Sequence, residues 1–212
     1  MHGTCIALFF CHLVVYNPSQ SPERRYKMRK LKKGFTLIEL LIVVAVIGIL
    51  AVIIIPNALS AVQKTKQKQT MRNIVSMATA CASYITEAGY APDAGNQAGP
   101  LQSGSNFMTA ISPTFMKVCP VTDQWGSPYQ VYTGTAVSNV YSIPAAGLGD
   151  DDFLIFSLGR DGVVGGSTTY TYQAGNPENT LYNMNSMDDF NNDLVNLNGS
   201  WLHAPRISYI GS

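Results

Sequence analysis

Residues 35 to 55 read FTLIELLIVVAVIGILAVIII, twenty-one positions with a single charged residue, Glu39. A helix rises about 1.5 Å per residue, so this run is long enough to cross the roughly 30 Å hydrocarbon core of a bilayer. Seven basic residues crowd the ten positions from Arg24 to Lys33, immediately before it. The positive-inside rule then puts the N-terminus in the cytoplasm and everything after the run on the far side of the membrane. A secretory signal peptide fits badly. The run is longer than the usual apolar region of such signals.

The formal net charge of +1 hides an asymmetry. Residues 1 to 34 carry seven Lys/Arg against one Glu; from Phe35 onward seven Lys/Arg face twelve Asp/Glu. Past Arg72 only Lys117, Arg160 and Arg206 oppose eleven acids. A body this acidic is a poor match for nucleic acid, whose phosphates need clustered Lys and Arg. Charged residues are 13% of the chain and apolar ones 46%, which argues against disorder.

The apolar helix is expected to continue beyond the membrane. After Pro56 no further Pro or Gly occurs until Gly89. Ile74, Ala78, Cys81, Ile85 and Ala88 recur at helical spacing on one face, a stripe that needs a partner in the body. Lys64, Lys66, Lys68 and Arg72 mark a solvated section, and Gly89 with Pro92 forms a stop signal. The pattern predicts one helix from about Phe35 to Ala88, bent near Pro56, which donates no backbone hydrogen bond.

Glu39 does not belong in lipid, where a charge costs roughly 2.5–3.5 kcal/mol on insertion scales. All seven basic residues nearby precede Gly34, so none pairs with it at its own depth. The string KKGFTLIELLIVVAVIGILAVIIIP, from Lys32 to Pro56, resembles the class III signal and N-terminal helix of type IV pilins and pseudopilins. The resemblance implies cleavage by a membrane prepilin peptidase between Gly34 and Phe35, then N-methylation of Phe35. It also implies a role for Glu39: its carboxylate would meet the freed Phe35 amine of a neighbouring subunit during assembly, and that pairing offsets the cost of a buried charge. Residues 1–34 are then a leader. Met28 opens MRKLKKG, a complete short leader, so translation starting there would make residues 1–27 upstream sequence; the alternative is a long leader with an apolar stretch, Ile6 to Tyr16. Either way Cys5 and Cys11 leave with it. The expected organisation is a leader over 1–34, a transmembrane and polymerisation helix over 35–55, the exported half of the helix over 56–89, and a globular body over 90–212.

In the body a Gly/Pro/Asn/Ser-rich loop leads to a short helix or turn around Phe107 to Phe115. Tyr129–Thr133, Val137–Ile143 and Phe153–Leu158 read as strands, with Thr168–Tyr172 a further candidate. The rest is a polar, Asn-rich tail. The fold class is α+β: a long helix packed on a small antiparallel sheet, with a loop-rich acidic C-terminal region. Trp125 and Tyr129 read as core aromatics over the helix. Cys81 and Cys119 lie on the oxidising side, where a disulfide is allowed. Closing their 37-residue intervening segment would be worth about 3–4 kcal/mol. Spacing alone leaves two isolated buried thiols as the alternative.

Eight acids fall between Asp150 and Asp193, with only Arg160 against them. Such a loop-like acidic region needs solvent or a hard cation. The stretches DQWGSPYQVY and DDFLIFSLGRDGVVGG resemble the body of the major pseudopilin of type II secretion systems, at Asp123, Trp125, Gly126, Pro128, Tyr129, Asp152, Phe156, Ser157, Gly159, Asp161 and Gly162. That resemblance implies a Ca²⁺ site in the following loop, with Asp188 and Asp189 as ligand candidates and Asp161 a weaker one. The stretch from Gly166 to Met187 is longer than the usual loop of that family.

No catalytic constellation emerges. His2 and His12 leave with the leader, His203 lies near the C-terminus, and there is no Gly-x-Ser-x-Gly, phosphate loop or zinc spacing. The resemblance implies a structural subunit, a homopolymer in the periplasm anchored by a single pass in the inner membrane. Its implied partners are the prepilin peptidase, minor pseudopilins, the inner-membrane assembly platform and the secretion ATPase. A pilin of an extracellular type IV pilus, or a minor ligand-binding pilin, are the competing readings.

Overall fold

The computed structural model describes residues 34–165, 170–173, 175–176 and 180–206. Its longest element is α1, Leu37–Ala88, which runs through Pro56. Residues 35 to 59 expose nearly all their large apolar side chains, and this is a helix long and apolar enough to cross a membrane. Burial begins only at Gln67 and continues through Thr70, Ile74, Met77, Ala78, Ala80 and Cys81. Ile74, Ala78 and Cys81 of the expected stripe are buried, with Gln67, Thr70, Met77 and Ala80 added; Ile85 is half-buried against the same cluster, and Ala88 is half-buried.

Five short strands form one antiparallel sheet in chain order: β1 (Ala98–Pro100), β2 (Gln130–Thr133), β3 (Phe153–Ser157), β4 (Leu194–Leu197) and β5 (Ser200–His203). A six-residue helix, α2 (Asn106–Ile111), follows β1, and the Ser105 hydroxyl caps it by accepting from the Met108 amide. The central strand explains the layering. All five β3 residues are buried, and its side chains alternate between two cores. Phe153 and Ile155 join Ile74, Met77 and Phe107 on the helix side. Leu154 and Phe156 join Val137, Ile143, Val195 and Leu202 on the other. An uninterrupted apolar run such as FLIFS reads as a strand covered on both faces.

That second core corrects one expectation. Val137–Ile143 is not a strand but two 3₁₀ turns, Gly134–Val137 and Val140–Ser142. Asn139, Tyr141 and Ser142 have positive φ, which no strand tolerates. Val137 and Ile143 are apolar because they lie over the far face of β3 and β4. Of Thr168–Tyr172, Thr168 and Thr169 fall outside the described residues, and Tyr170–Tyr172 form no strand.

The polar tail also differs from expectation, since it supplies β4 and β5. Asn198 and Gly199, both at positive φ, join them as a two-residue hairpin turn, the conformation Asn-Gly favours. Asn198 Oδ1 also accepts from the Phe153 amide at 2.8 Å. Gly159, at φ +67°, lets the chain pass so close to the next segment that a Cβ there would stand 2.7 Å from the carbonyl oxygens of Asn191 and Asn192. His203, read from the sequence as peripheral, is buried in β5, with Nδ1 2.6 Å from the Thr180 carbonyl. Burial lowers its pKa.

The sheet is joined to the helix by one polar hub. Asp123 is buried, and its Oδ1 accepts from the amides of Trp125, Gly126 and Ser127 at 2.9, 2.9 and 3.0 Å. Its Oδ2 accepts from the Ser157 hydroxyl at 2.7 Å. The turn so shaped meets α1 through Trp125 Nε1 to Gln63 at 2.8 Å, the Gln124 amide to Thr70 at 3.3 Å, and Asn73 to the Tyr129 hydroxyl at 3.2 Å. Trp125 and Tyr129 do pack on the helix-side core as expected.

Two stability measurements follow from this packing. Asp123→Ala strands four donors, and equilibrium unfolding should show a loss of about 3–5 kcal/mol, with Asp123→Asn losing less. Asp193 is the second case. Its Oδ2 accepts from the Tyr141 hydroxyl and from the Gly165 amide, while Oδ1 is buried without a partner. Burial pushes its carboxyl up from 3.8 to about 6. Between those values the folded chain holds a proton that the unfolded chain has released, so stability falls as pH rises from about 4 to about 6. Asp193→Asn should flatten that slope and stabilise the protein above pH 6, by at most about 3 kcal/mol.

Candidate functional site

The N-terminal end of α1 carries the residues singled out for processing and assembly. Gly34 and Phe35 are exposed and precede the helix. Thr36 is the residue before its first turn, and Glu39 is the third residue inside it. The Thr36 amide and hydroxyl both donate to Glu39 Oε2 at 2.8 Å, and the Glu39 amide donates to the Thr36 hydroxyl at 3.3 Å. This reciprocal arrangement is a capping box, T-x-x-E. The sequence signal for this cap is the string FTLIE itself. Its local partners are neutral and belong to its own chain. The carboxylate is thereby held within one residue of the Phe35 position, at the positive end of the helix dipole, where a negative charge is favoured.

The acids proposed for a metal are engaged one by one. Asp161 Oδ1 accepts from the Val163 amide at 3.0 Å. Asp188, largely exposed, lies 3.6 Å from Arg160. Asp189 Oδ2 accepts from the amides of Asn185 and Ser186 at 2.7 and 2.6 Å. Among the described residues no three His, Cys, Asp or Glu side chains gather where they could hold a metal ion. Calcium takes six to eight oxygens; among the described residues these three carboxylates each serve a turn cap or an ion pair. The sequence overlooked Arg160 as the organiser of this loop: its amide donates to the Phe190 carbonyl at 2.8 Å and its Nε to Asn191 at 2.9 Å.

Cys81 and Cys119 share the helix-side core. In this structure both are buried thiols. Burial pushes the Cys119 thiol up to about 11 and Cys81 higher still, with Cys119 adding to the latter. Thiols held neutral in this way are poor nucleophiles.

The family described as the prokaryotic N-terminal methylation motif matches residues 29–55. The type II secretion system core protein G of Vibrio cholerae is 31% identical over 155 residues, 68% of this chain and 90% of that protein. Its counterpart in Pseudomonas aeruginosa is 30% identical over 151 residues, 66% of this chain and 91% of that protein. The type IV major pilin protein PilA of Myxococcus xanthus is 43% identical over 77 residues, but this spans only 32% of the chain and 35% of the pilin. The motif matches the helix that carries Glu39, while the two core-protein alignments are too long to be confined to it. The chain belongs to the pilin-like family of type II secretion system core protein G.

Proposed function

We propose that this chain is the structural subunit of a type II secretion pseudopilus rather than an enzyme. Prepilin peptidase cuts between Gly34 and Phe35 and methylates the new N-terminus. The subunit waits in the inner membrane with its body in the periplasm, an orientation supported by the basic cluster before Gly34. Subunits then stack through the apolar half of α1, driven by the secretion ATPase through the assembly platform. The observation that carries this reading is the likeness to core protein G over nine-tenths of that protein's length. The competing reading, a pilin of an extracellular fibre, draws on the higher but shorter identity to PilA.

Glu39 has two roles in this scheme. Before assembly its carboxylate is satisfied by Thr36, which lowers the cost of holding it at the membrane boundary. During assembly the Phe35 amine of a neighbour, released by cleavage, supplies the cation that the chain lacks at that depth. An ion pair removed from water is favourable only when both partners are present, so pairing rewards the processed subunit alone.

Two experiments test this. Glu39→Val should give a processed, membrane-resident protein whose yield of polymer, cross-linked in the cell envelope, falls at least about tenfold, the equivalent of roughly 1.4 kcal/mol; wild-type yield from that variant would remove Glu39 from assembly. Deleting the gene should deplete specific folded proteins from the culture medium and leave surface fibres unchanged. Loss of surface fibres with an intact secretome would favour the pilin reading.

A further inference from the structure

Among the described residues, the acidic body carries a basic groove. Lys64, Lys68 and Arg72 succeed one another at four-residue intervals on α1, which places them on one face. With Arg206 they line a cavity of ≈ 710 Å³, floored by Met71 and Met184, and no acidic residue lines it. Four of the seven basic residues after Gly34 therefore meet in one place. Lys64, Lys68 and Arg72 are exposed and make no hydrogen bond or ion pair among the described residues. Arg206 is anchored through Nε to the Leu181 carbonyl at 3.2 Å.

A lipid headgroup is a poor occupant. Lys64 lies nine residues past Ile55, where the apolar run ends, and Arg72 seventeen. These are roughly 13 and 25 Å along the helix, whereas the headgroup layer adds only about 5–8 Å beyond the hydrocarbon. An acidic protein surface is the better match, and this chain has one. Asp150 and Asp151 are adjacent and exposed, and their carboxylates have no partner among the described residues. They differ in this from Asp152, Asp161, Asp188 and Asp189, which are already engaged. The Asp150 carbonyl accepts from the Ala91 amide at 2.7 Å, which fixes this acidic turn just beyond the C-terminal end of α1. The groove begins roughly 30 Å lower on the same helix.

We propose that the groove formed by Lys64, Lys68, Arg72 and Arg206 receives the Asp150–Asp151 turn of a second copy of this chain. Two complementary patches at different heights on one molecule make a head-to-tail contact, which propagates as an open filament instead of closing on itself. The contact adds register to the stacking of apolar helices, which by itself is non-directional. This inference rests on the polymeric reading above.

The test is a charge exchange in the full-length chain, expressed with its own assembly machinery. Lys68→Glu with Arg72→Glu, or Asp150→Lys with Asp151→Lys, should each cut the yield of filaments, cross-linked in the cell envelope, about tenfold or more while membrane-resident subunit is unchanged, because like charges in contact cost several kcal/mol. All four substitutions together should restore filaments to within about twofold, a recovery that misfolded subunits would not give. Undiminished filaments from either pair would overturn the proposal. So would loss without recovery; if the basic-to-acidic variant, detergent-solubilised, then also bound phosphatidylglycerol nanodiscs less tightly, the groove would be a lipid site. Absence of filaments from the unaltered chain would instead overturn the polymeric reading itself, and this one with it.

Discussion

The buried carboxylate of Asp123 holds the body of this molecule together. Asp123 gathers three successive amides into a turn and accepts a hydroxyl from the end of the central strand. The turn in turn presents Trp125 and Tyr129 to the helix, where Gln63 and Asn73 complete their polar edges. Apolar burial supplies most of the energy of such a fold, but it is non-directional. The hydrogen bonds of this hub set the height at which the sheet meets α1, because unmade bonds to buried donors are expensive.

That height matters because α1 serves two environments. Its first half exposes apolar side chains in quantity, which only lipid or other helices can cover. Its second half buries a narrow stripe from Gln67 onward. Between them lies a short cationic section, and the C-terminal segment folds back to it: Gln67 donates to the Tyr182 hydroxyl at 3.2 Å, and Ser60 to the Met187 sulfur at 3.3 Å. The family's chemistry and the body's packing thus occupy separate lengths of one helix. A change in the body can alter how copies meet without touching Glu39.

The acidic loops are held by local devices. Arg160 ties its strand end to the segment at residues 188–191, and Asp189 caps a turn. Asp193 is a cost the fold carries, a half-satisfied carboxylate beside Tyr141. The core it borders is the one that covers the far face of the sheet.

Much of this was readable in the residues. The membrane run, the helix to Ala88, the buried stripe, the strands at Gln130–Thr133 and Phe153–Ser157, and the family likeness all rest on local pattern: periodicity, hydropathy and a motif of contiguous residues. The Asn-Gly hairpin and the T-x-x-E cap are equally local. What no local pattern contains is which segments share a core. Val137–Ile143 resembles a strand, but it lies over the sheet because β3 needs cover on both faces. Arg206, 134 residues after Arg72 by number, comes to line the same groove. Hydropathy and periodicity act within a few residues and can be read along a chain. Charge neighbourhoods and shared burial arise only when distant segments pack, and there the tertiary structure decided.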